Sequence, residues 1–155
     1  MKIGIVMGSA SDMPVMEGAS EILNDFGVEY EMKIYSAHRT PQQLEEWVKG
    51  LRQRGFSAVI AGAGGAAHLA GVVAAFTTLP VIGVPVKSAA LNGLDSLLSM
   101  VQMPSGIPVA TVAVNGAKNA ALLALEMQGV YDGEIEAKLV DFREKQAEKV
   151  LLQNK

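Results

Sequence analysis

Short apolar runs rich in valine and isoleucine recur along this chain, and stretches with helical spacing separate them. Runs of this length and composition predict β-strands. The runs are KIGIVM (2–7), VEYEMKIY (28–35), SAVIAG (57–62), PVIGVPV (80–86) and PVATVAV (108–114). Because strands alternate with helices, we expect parallel strands joined by right-handed crossovers, with helices on both faces of one sheet. The sequence therefore predicts an α/β fold on a five-stranded parallel sheet.

Two of the intervening helices have clear boundary signals. The first ends at Gly27, a residue type that favours helix termination. The second is predicted to begin with Thr40 as the N-cap residue and Pro41 as the first helical residue, and Gln43 would complete a capping box.

The length of 155 residues fits one domain, which we expect to span 1–155. An α/β core would occupy 1–130 and a C-terminal helix 131–155. Four apolar residues lie roughly on one side of that helix: Ile135, Leu139, Phe142 and Val150. Because no strand follows for this stripe to cover, we predict that the helix packs on a neighbouring subunit. The alternative is a helix folded back on its own domain.

The composition excludes several kinds of partner and chemistry. A net charge of −3 without a basic run gives little attraction for nucleic acid or an anionic membrane, so we expect neither as a partner. The absence of cysteine excludes disulfides, thiolate metal sites and cysteine nucleophiles. The segment MKIGIVMGSASD lacks the apolar length of a signal peptide, and no other segment is long enough to span a bilayer. We therefore expect a cytoplasmic protein.

Ligands of open parallel sheets bind outside the carboxyl ends of the strands, near a topological switch point. Both histidines of the chain, His38 and His68, follow predicted strands at this edge. The segments there are GSASD (8–12), SAHR (36–39), GAGGAAHLAG (62–71), KSAALNG (87–93) and NGAKN (115–119). We therefore predict the functional site at the carboxyl edge of the sheet.

GSASD follows a strand and opens a helix, which is a position suited to binding an anion. Its backbone N–H groups and the hydroxyls of Ser9 and Ser11 could hold a phosphate, with Asp12 beside it. Alternatively, Ser11 or Asp12 merely caps the helix, and the two interpretations are compatible.

GAGGAAHLAG has Gly62, Gly64 and Ala67 at the spacing of a dinucleotide fingerprint, but the acidic residue that should follow about 20 residues later is missing. We therefore reject nicotinamide or flavin dinucleotide binding. The small residues instead allow either a close approach of ligand or close packing of helix on strand. A phosphorelay receiver would need an acid where Gly62 stands, and a flavodoxin would need a phosphate loop that GSASDM only faintly approaches.

His38 stands next to Arg39, immediately before a predicted helix start. Arginine offers a planar fork suited to phosphate or carboxylate, and histidine exchanges protons near neutral pH. This pairing favours a general acid and base beside an anion anchor over a purely structural histidine. For His68, ligand binding and support of its loop remain equally open.

Six segments resemble the motifs of one enzyme family, the class I 5-carboxyaminoimidazole ribonucleotide mutases of purine biosynthesis, also described as the catalytic subunit of phosphoribosylaminoimidazole carboxylase. They are MGSASD, SAHRTP, IAGAGGAAHLAG, LPVIGVPV, LNGLDSLLSMVQMPSGIPVATVAV and GAKNAALLA, within residues 2 to about 128. Met13, Ala70 and Ser105 depart from the residues usual in the family, and the loop 115–117 looks shortened. None of these positions is assigned to the chemistry.

The resemblance implies a flavodoxin-like subunit of three layers, assembled as an octamer. It also implies transfer of a carboxylate from the exocyclic nitrogen of an aminoimidazole ribonucleotide to ring carbon C4, with no metal, ATP or biotin as cofactor. His38 would be the acid and base, and Asp12 would bind the ribose. The phosphate would be bound by Ser9, Ser11 and Arg39. The imidazole and carboxylate site would be lined by Ser36, Gly64, His68 and Leu69.

Two rival functions remain. Class II relatives carboxylate aminoimidazole ribonucleotide directly with carbon dioxide, and they typically carry lysine where Arg39 stands and a less glycine-rich third loop. Both features favour class I here. A non-catalytic nucleotide-binding domain on the same scaffold is the second rival, and the presence of Asp12, His38 and Arg39 argues against it.

Overall fold

The computed structural model describes residues 1–154, which form a parallel five-stranded sheet covered by helices on both faces. The strands are β1 (Lys2–Met7), β2 (Glu29–Ile34), β3 (Phe56–Gly64), β4 (Val81–Val86) and β5 (Ala110–Thr111). The helices are α1 (Met13–Asp25), α2 (Pro41–Gly50), α3 (Leu69–Phe76), α4 (Leu94–Val101), α5 (Ala117–Gly129) and α6 (Gly133–Leu152), and a 3₁₀ turn, Ala10–Asp12, precedes α1. The strand order is β2-β1-β3-β4-β5. The predicted flavodoxin-like α/β fold is confirmed.

Alternate residues of the strands supply two apolar cores, one on each face of the sheet. Ile5 of β1 points into the core under α1, α5 and α6, whereas its neighbour Val6 points into the core under α2, α3 and α4. Gly62 of β3 permits the closest packing, since a Cβ atom there would lie 2.2 Å from the sulfur of Met16 in α1. Such a contact is far inside van der Waals distance, so a side chain at this position would force the Met16 side chain to move.

The fifth strand is shorter than the sequence predicts. The run 108–114 forms regular pairing with β4 only at Ala110–Thr111, although the Asn115 N–H still donates to the carbonyl of Pro85 at 2.8 Å. Proline has no N–H, so Pro85 returns no hydrogen bond to β5 at this point. β5 also lies at the edge of the sheet, where one neighbour alone supports it.

The C-terminal helix α6 is divided between two environments. Its first half folds back on its own domain: Ile135 is 7% exposed, the Phe142 ring lies 5.8 Å from that of Phe26, and Lys138 Nζ donates to the Phe26 carbonyl at 3.1 Å. The expectation that the whole apolar stripe lacks a partner in its own domain is therefore wrong. Val150, in the second half, is 62% exposed, and its packing on a neighbouring subunit stays a prediction.

Among residues 1–154, no helix has the length and apolar character needed to cross a membrane.

Candidate active site

The carboxyl ends of β1, β2, β3 and β4 surround a cleft of about 510 Å³. All nine residues predicted for the site line it: Ser9, Ser11, Asp12, Ser36, His38, Arg39, Gly64, His68 and Leu69. The cleft lies at the switch point of the sheet, because the chain leaves β1 toward β2 on one side and later returns to β3 on the other. The predicted location of the site therefore agrees with the strand order.

A larger cavity of about 880 Å³ lies at the opposite end of the sheet, near the start of β4 and β5. Lys49 and Arg52 contribute its charged side chains, and its described lining includes no histidine, aspartate or glutamate. Without a group that exchanges protons near neutral pH, this cavity lacks the acid and base chemistry that the smaller cleft has.

The loop after β1 is organised by the hydroxyl of Ser9. This oxygen accepts hydrogen bonds from the backbone N–H of Ser11 at 3.3 Å and from the Ser11 hydroxyl at 2.9 Å. Ser9 therefore caps the 3₁₀ turn. Asp12 holds the N-cap position of α1 as one alternative predicted, but its side chain makes no capping hydrogen bond there, and Ser11 does not cap the helix. Both serines face the cleft, where they can also bind a ligand.

Asp12 is the carboxylate of the cleft, and only 7% of the residue is exposed. Burial raises the pKa of its carboxyl group above the ordinary value, because a carboxylate loses hydration in the folded chain. A hydrogen bond from the Ser9 backbone and the positive charge of Arg39 act in the opposite direction on this pKa without cancelling the effect. Hydroxyl groups of a ligand would supply the hydrogen bonds that favour the ionised carboxylate.

The loop after β2 is closed by its own hydrogen bonds. The Thr40 hydroxyl accepts from the Ser36 N–H at 2.8 Å and donates to the Ser36 carbonyl at 3.1 Å. The Ser36 hydroxyl in turn accepts from the backbone N–H groups of His38 and Arg39. Thr40 holds the N-cap position of α2, but its hydroxyl makes no capping bond, so the predicted capping box with Gln43 is wrong. The Thr40 hydroxyl therefore stabilises the loop after β2 and not the start of α2.

Arg39 connects this loop to the end of β1. Its Nη2 donates to the carbonyl of Gly8 at 3.0 Å, and its Nε donates to the Ser36 hydroxyl at 3.4 Å. A guanidinium group has five N–H donors in a rigid fork, so these two contacts orient the group and leave donors for an anion.

The two histidines form a hydrogen bond across the cleft. His38 Nε2 and His68 Nδ1 lie 2.9 Å apart, and the rings are nearly perpendicular, at 86°. Each neutral imidazole carries one N–H and one basic nitrogen. The bond uses the N–H of one ring and the basic nitrogen of the other, so the pair retains one free N–H and one free basic nitrogen. The same pair can therefore donate one proton and accept another.

His68 stands at the end of a loop built of small residues and just before α3. Its backbone N–H donates to the Ala66 carbonyl at 2.9 Å, and its carbonyl accepts from Val72. Gly65 has a φ of +65°, a left-handed conformation that glycine adopts without strain. Leu69, which begins α3, is buried at 2% exposed. This loop gives the cleft a wall with few side-chain polar groups.

Two residues that were not predicted for the site, Lys87 and Ser88, also line the cleft. They follow β4, and the backbone N–H of Lys87 donates to Asn115 Oδ1 at 2.9 Å. The Ser88 hydroxyl donates to Asp95 at 2.7 Å, and this hydrogen bond lowers the pKa of the Asp95 carboxyl group. The available signal was the position of KSAALNG at the carboxyl edge of the sheet.

Within the described part of the chain, no group of three or more histidine, cysteine, aspartate or glutamate side chains has the arrangement of a metal site.

The family model for AIR carboxylase matches residues 2–149. The chain belongs to the AIR carboxylase family. This membership confirms the family predicted from the sequence motifs. The match includes all the loops around the cleft and most of α6.

Relatives within this family are close to the chain in sequence and in fold. The N5-carboxyaminoimidazole ribonucleotide mutase of Pyrococcus abyssi is 64% identical over 143 residues, which are 92% of this chain and 82% of the relative. The protein of the same name from Thermotoga maritima is 57% identical over 150 residues, covering 97% of this chain and 88% of the relative. The crystal structure of Treponema denticola PurE superimposes with a TM-score of 0.88 at 33% identity, over 99% of this chain and 96% of that one.

Proposed function

We propose that this chain is an N5-carboxyaminoimidazole ribonucleotide mutase. It would move a carboxylate from the exocyclic nitrogen of the substrate to ring carbon C4 and give 4-carboxy-5-aminoimidazole ribonucleotide. The observation that carries the proposal is the hydrogen-bonded pair of His38 and His68 within a cleft that also presents an arginine and two serines. The names and high identities of the curated relatives support the mutase reaction over direct carboxylation.

One half of the cleft suits the phosphate and ribose of the substrate. Arg39 presents a fixed fork, and the hydroxyls of Ser9 and Ser11 lie at the entry to α1, where helix N–H groups favour an anion. Asp12, beside them, can accept hydrogen bonds from ribose hydroxyls. In this assignment the phosphate is held at the end of β1 and the base points toward the histidines.

The histidine pair suits the two proton transfers of the reaction. When the N–C bond of the carbamate breaks, carbon dioxide leaves and the nitrogen gains a proton. When C4 attacks carbon dioxide, a C–C bond forms and C4 then loses its proton. His38 would carry out both transfers: it gives a proton to the exocyclic nitrogen and later takes the proton from C4, so it ends in the state in which it began. Its hydrogen bond to His68 orients the ring for these transfers. No external acid or base is then required.

Carbon dioxide must be retained between the two steps. Gly64, Gly65 and Ala66 wall the cleft next to His68, and their side chains offer no group to react with it. A wall of small residues beside the histidines lets the gas stay next to C4, which makes the second step effectively intramolecular.

An assay with each substrate supplied separately tests the reaction. With labelled bicarbonate in the medium, the wild-type chain should convert the carbamate at low bicarbonate with little label in the 4-carboxy product. His38→Asn should abolish this turnover while nucleotide affinity stays within about tenfold of wild type, because the imidazole moves protons and contributes little to ground-state binding. Labelled product from aminoimidazole ribonucleotide with no conversion of the carbamate would instead establish the class II carboxylase. A fully active His38→Asn variant would remove His38 from the chemistry.

We also propose that the enzyme acts in the cytoplasm as a homo-oligomer, and specifically as an octamer. Two apolar surfaces of the described chain support self-association. One is the α4 surface, formed by Leu91, Leu94, Leu98 and Val101, each about half exposed. The other is the α6 end, residues 150–152, whose three apolar side chains are at least 60% exposed. Exposed apolar groups at helical spacing are typical of faces covered in an assembly.

A further inference from the structure

Lys87 is the second positive side chain of the cleft, and it stands on the opposite side from Arg39. Arg39 follows β2 and Lys87 follows β4, with β1 and β3 between them. Neighbouring strands lie about 4.8 Å apart, so the two residues begin about 14 Å from each other at the edge of the sheet. The cleft therefore presents positive charge at both ends of the row of strands that surrounds it.

The backbone at Lys87 is fixed from two directions. The Lys87 N–H donates to Asn115 Oδ1 at 2.9 Å, and the Asn115 N–H donates to the carbonyl of Pro85 at 2.8 Å. Asn115 adopts a φ of +60°, which asparagine tolerates better than most residues. The long side chain of Lys87 thus starts from a defined point at the end of β4.

The ammonium group of Lys87 has no carboxylate within ion-pair distance among the described residues. Six of the eight described lysines lie within 4.0 Å of a carboxylate oxygen, and the two exceptions are Lys87 and Lys149. The acidic residue of the same loop, Asp95, accepts instead from the Ser88 hydroxyl and the Ser96 N–H. The charge of Lys87 is therefore available to a ligand in the cleft.

The surroundings of Lys87 suit a carboxylate better than a phosphate. β3 and β4 pair Gly64 with Val86, so Lys87 lies directly beside the small-residue wall of Gly64 and Gly65. The serine hydroxyls and the guanidinium fork, which suit the larger phosphate, lie at the other end of the cleft. A carboxylate is a planar group of only three heavy atoms. It therefore fits beside a single compact ammonium group and small side chains.

We propose that Lys87 binds the carboxylate of the substrate and product, and so determines the preference of the cleft for carboxylated over uncarboxylated ribonucleotides. This inference rests on the proposed mutase function. Arg39 and Lys87 then hold the two anionic ends of one ligand, with the histidine pair between them.

Binding of two ribonucleotides that differ only in the carboxylate tests this inference. Calorimetric titration would compare 4-carboxy-5-aminoimidazole ribonucleotide with 5-aminoimidazole ribonucleotide. Lys87→Met keeps the approximate length of the side chain and removes its charge. The affinity for the carboxylated nucleotide should fall about tenfold to hundredfold, the range for loss of a charged hydrogen bond, whereas the affinity for the uncarboxylated nucleotide should change less than about threefold.

Two further variants complete the experiment. Lys87→Arg keeps the charge and should retain most of the discrimination. Lys145→Met removes an ammonium group from the exposed face of α6, far along the chain from the cleft, and should change neither affinity. Equal weakening of both ligands by Lys87→Met, or weakening of neither, would overturn the role of Lys87 while the mutase function stands. A wild-type chain that binds neither ribonucleotide would overturn the proposed function and this inference with it.

Discussion

Folding favours the protonated form of the Asp12 carboxyl group, whereas ligand binding would favour its ionised form. Its carboxyl group is buried at 7% exposed, and burial raises its pKa, only partly offset by the Ser9 backbone and by Arg39. The folded chain therefore holds this proton more tightly than the unfolded chain does. A ligand that offers hydroxyl donors would favour the ionised form, so the site keeps a carboxylate at a cost in stability, a common compromise in functional sites.

Asp12→Asn should expose that cost as a dependence on pH. As the pH rises through the ordinary pKa of aspartate and on to the raised pKa of Asp12, the unfolded chain releases the proton first. The free energy of unfolding of the wild type then falls over this interval and stays lower above it. The variant has no such proton. The difference between its free energy of unfolding and that of the wild type should therefore increase over this pH interval, in favour of the variant, and should stay at the higher value up to neutral pH. Urea unfolding from acidic to neutral pH measures this difference.

The same variant provides a second readout. An asparagine side chain accepts fewer and weaker hydrogen bonds than a carboxylate, so ribonucleotide affinity should fall about tenfold. A stability difference that stays constant with pH would contradict the assigned burial effect. Unchanged nucleotide affinity would separate Asp12 from ribose binding.

Strands and helices were predicted correctly where their own residues determine their ends, and incorrectly where distant residues do. KIGIVM is apolar after Lys2 and is followed by turn residues, and it forms β1 with the predicted ends. The run 108–114 has equal strand character, but its pairing depends on Pro85 of the neighbouring strand, which the run itself does not encode. The division of α6 was missed for a similar reason. Its stripe is visible in sequence, but the surface that covers its first half comes from distant residues such as Phe26.

The site was predictable to the level of strand ends. The loops with Ser9, His38 and His68 follow parallel strands, so they meet at one edge of the sheet regardless of their side-chain conformations. Every predicted residue therefore lines the cleft. The hydrogen bond between His38 and His68 joins residues 30 apart in sequence and depends on the rotamers of both. The Thr40 hydroxyl hydrogen-bonds to the backbone of Ser36 and makes no hydrogen bond to the start of α2. The two partners are both local, and the sequence does not show which of them the hydroxyl will bind.

Ile135→Ala should show that the first half of α6 belongs to the core of its own domain. Ile135 is 7% exposed, and its backbone N–H donates to Oδ1 of Asp132, the N-cap residue of α6. Truncation of the buried side chain leaves a cavity, so the free energy of unfolding should fall by about 2–4 kcal/mol in urea unfolding. Val140→Ala, on the same helix at 52% exposed, is the matched control and should change it by less than about 0.5 kcal/mol. Equal losses for the two variants would mean that α6 is not docked through this face.

At the scale of the whole molecule, the two exposed apolar surfaces argue for more than one kind of contact between subunits. The α4 surface presents Leu94 at 54% and Leu98 at 48% exposed, one turn apart. The α6 end presents Leu151 at 67% exposed, beyond the last residue of the helix that the core covers. Assemblies with dihedral symmetry use more than one kind of interface, whereas a simple dimer needs one. Two separate surfaces therefore fit the proposed octamer better than a dimer.

Disruption of each surface separately tests this arrangement. Leu94→Ser combined with Leu98→Ser should disrupt contacts through the α4 surface, and deletion of 147–155 should disrupt those through the α6 end without removing Ile135 or Phe142 from the core. Each change alone should leave a smaller assembly, because the other interface remains, and the two together should give monomers. Light scattering after size-exclusion chromatography measures the masses, and circular dichroism checks that each variant is folded. An assembly of unchanged mass after both single changes would show that neither surface holds the subunits together. Monomers after the α4 change alone would mean that this surface carries all the contacts and that the α6 end contributes none.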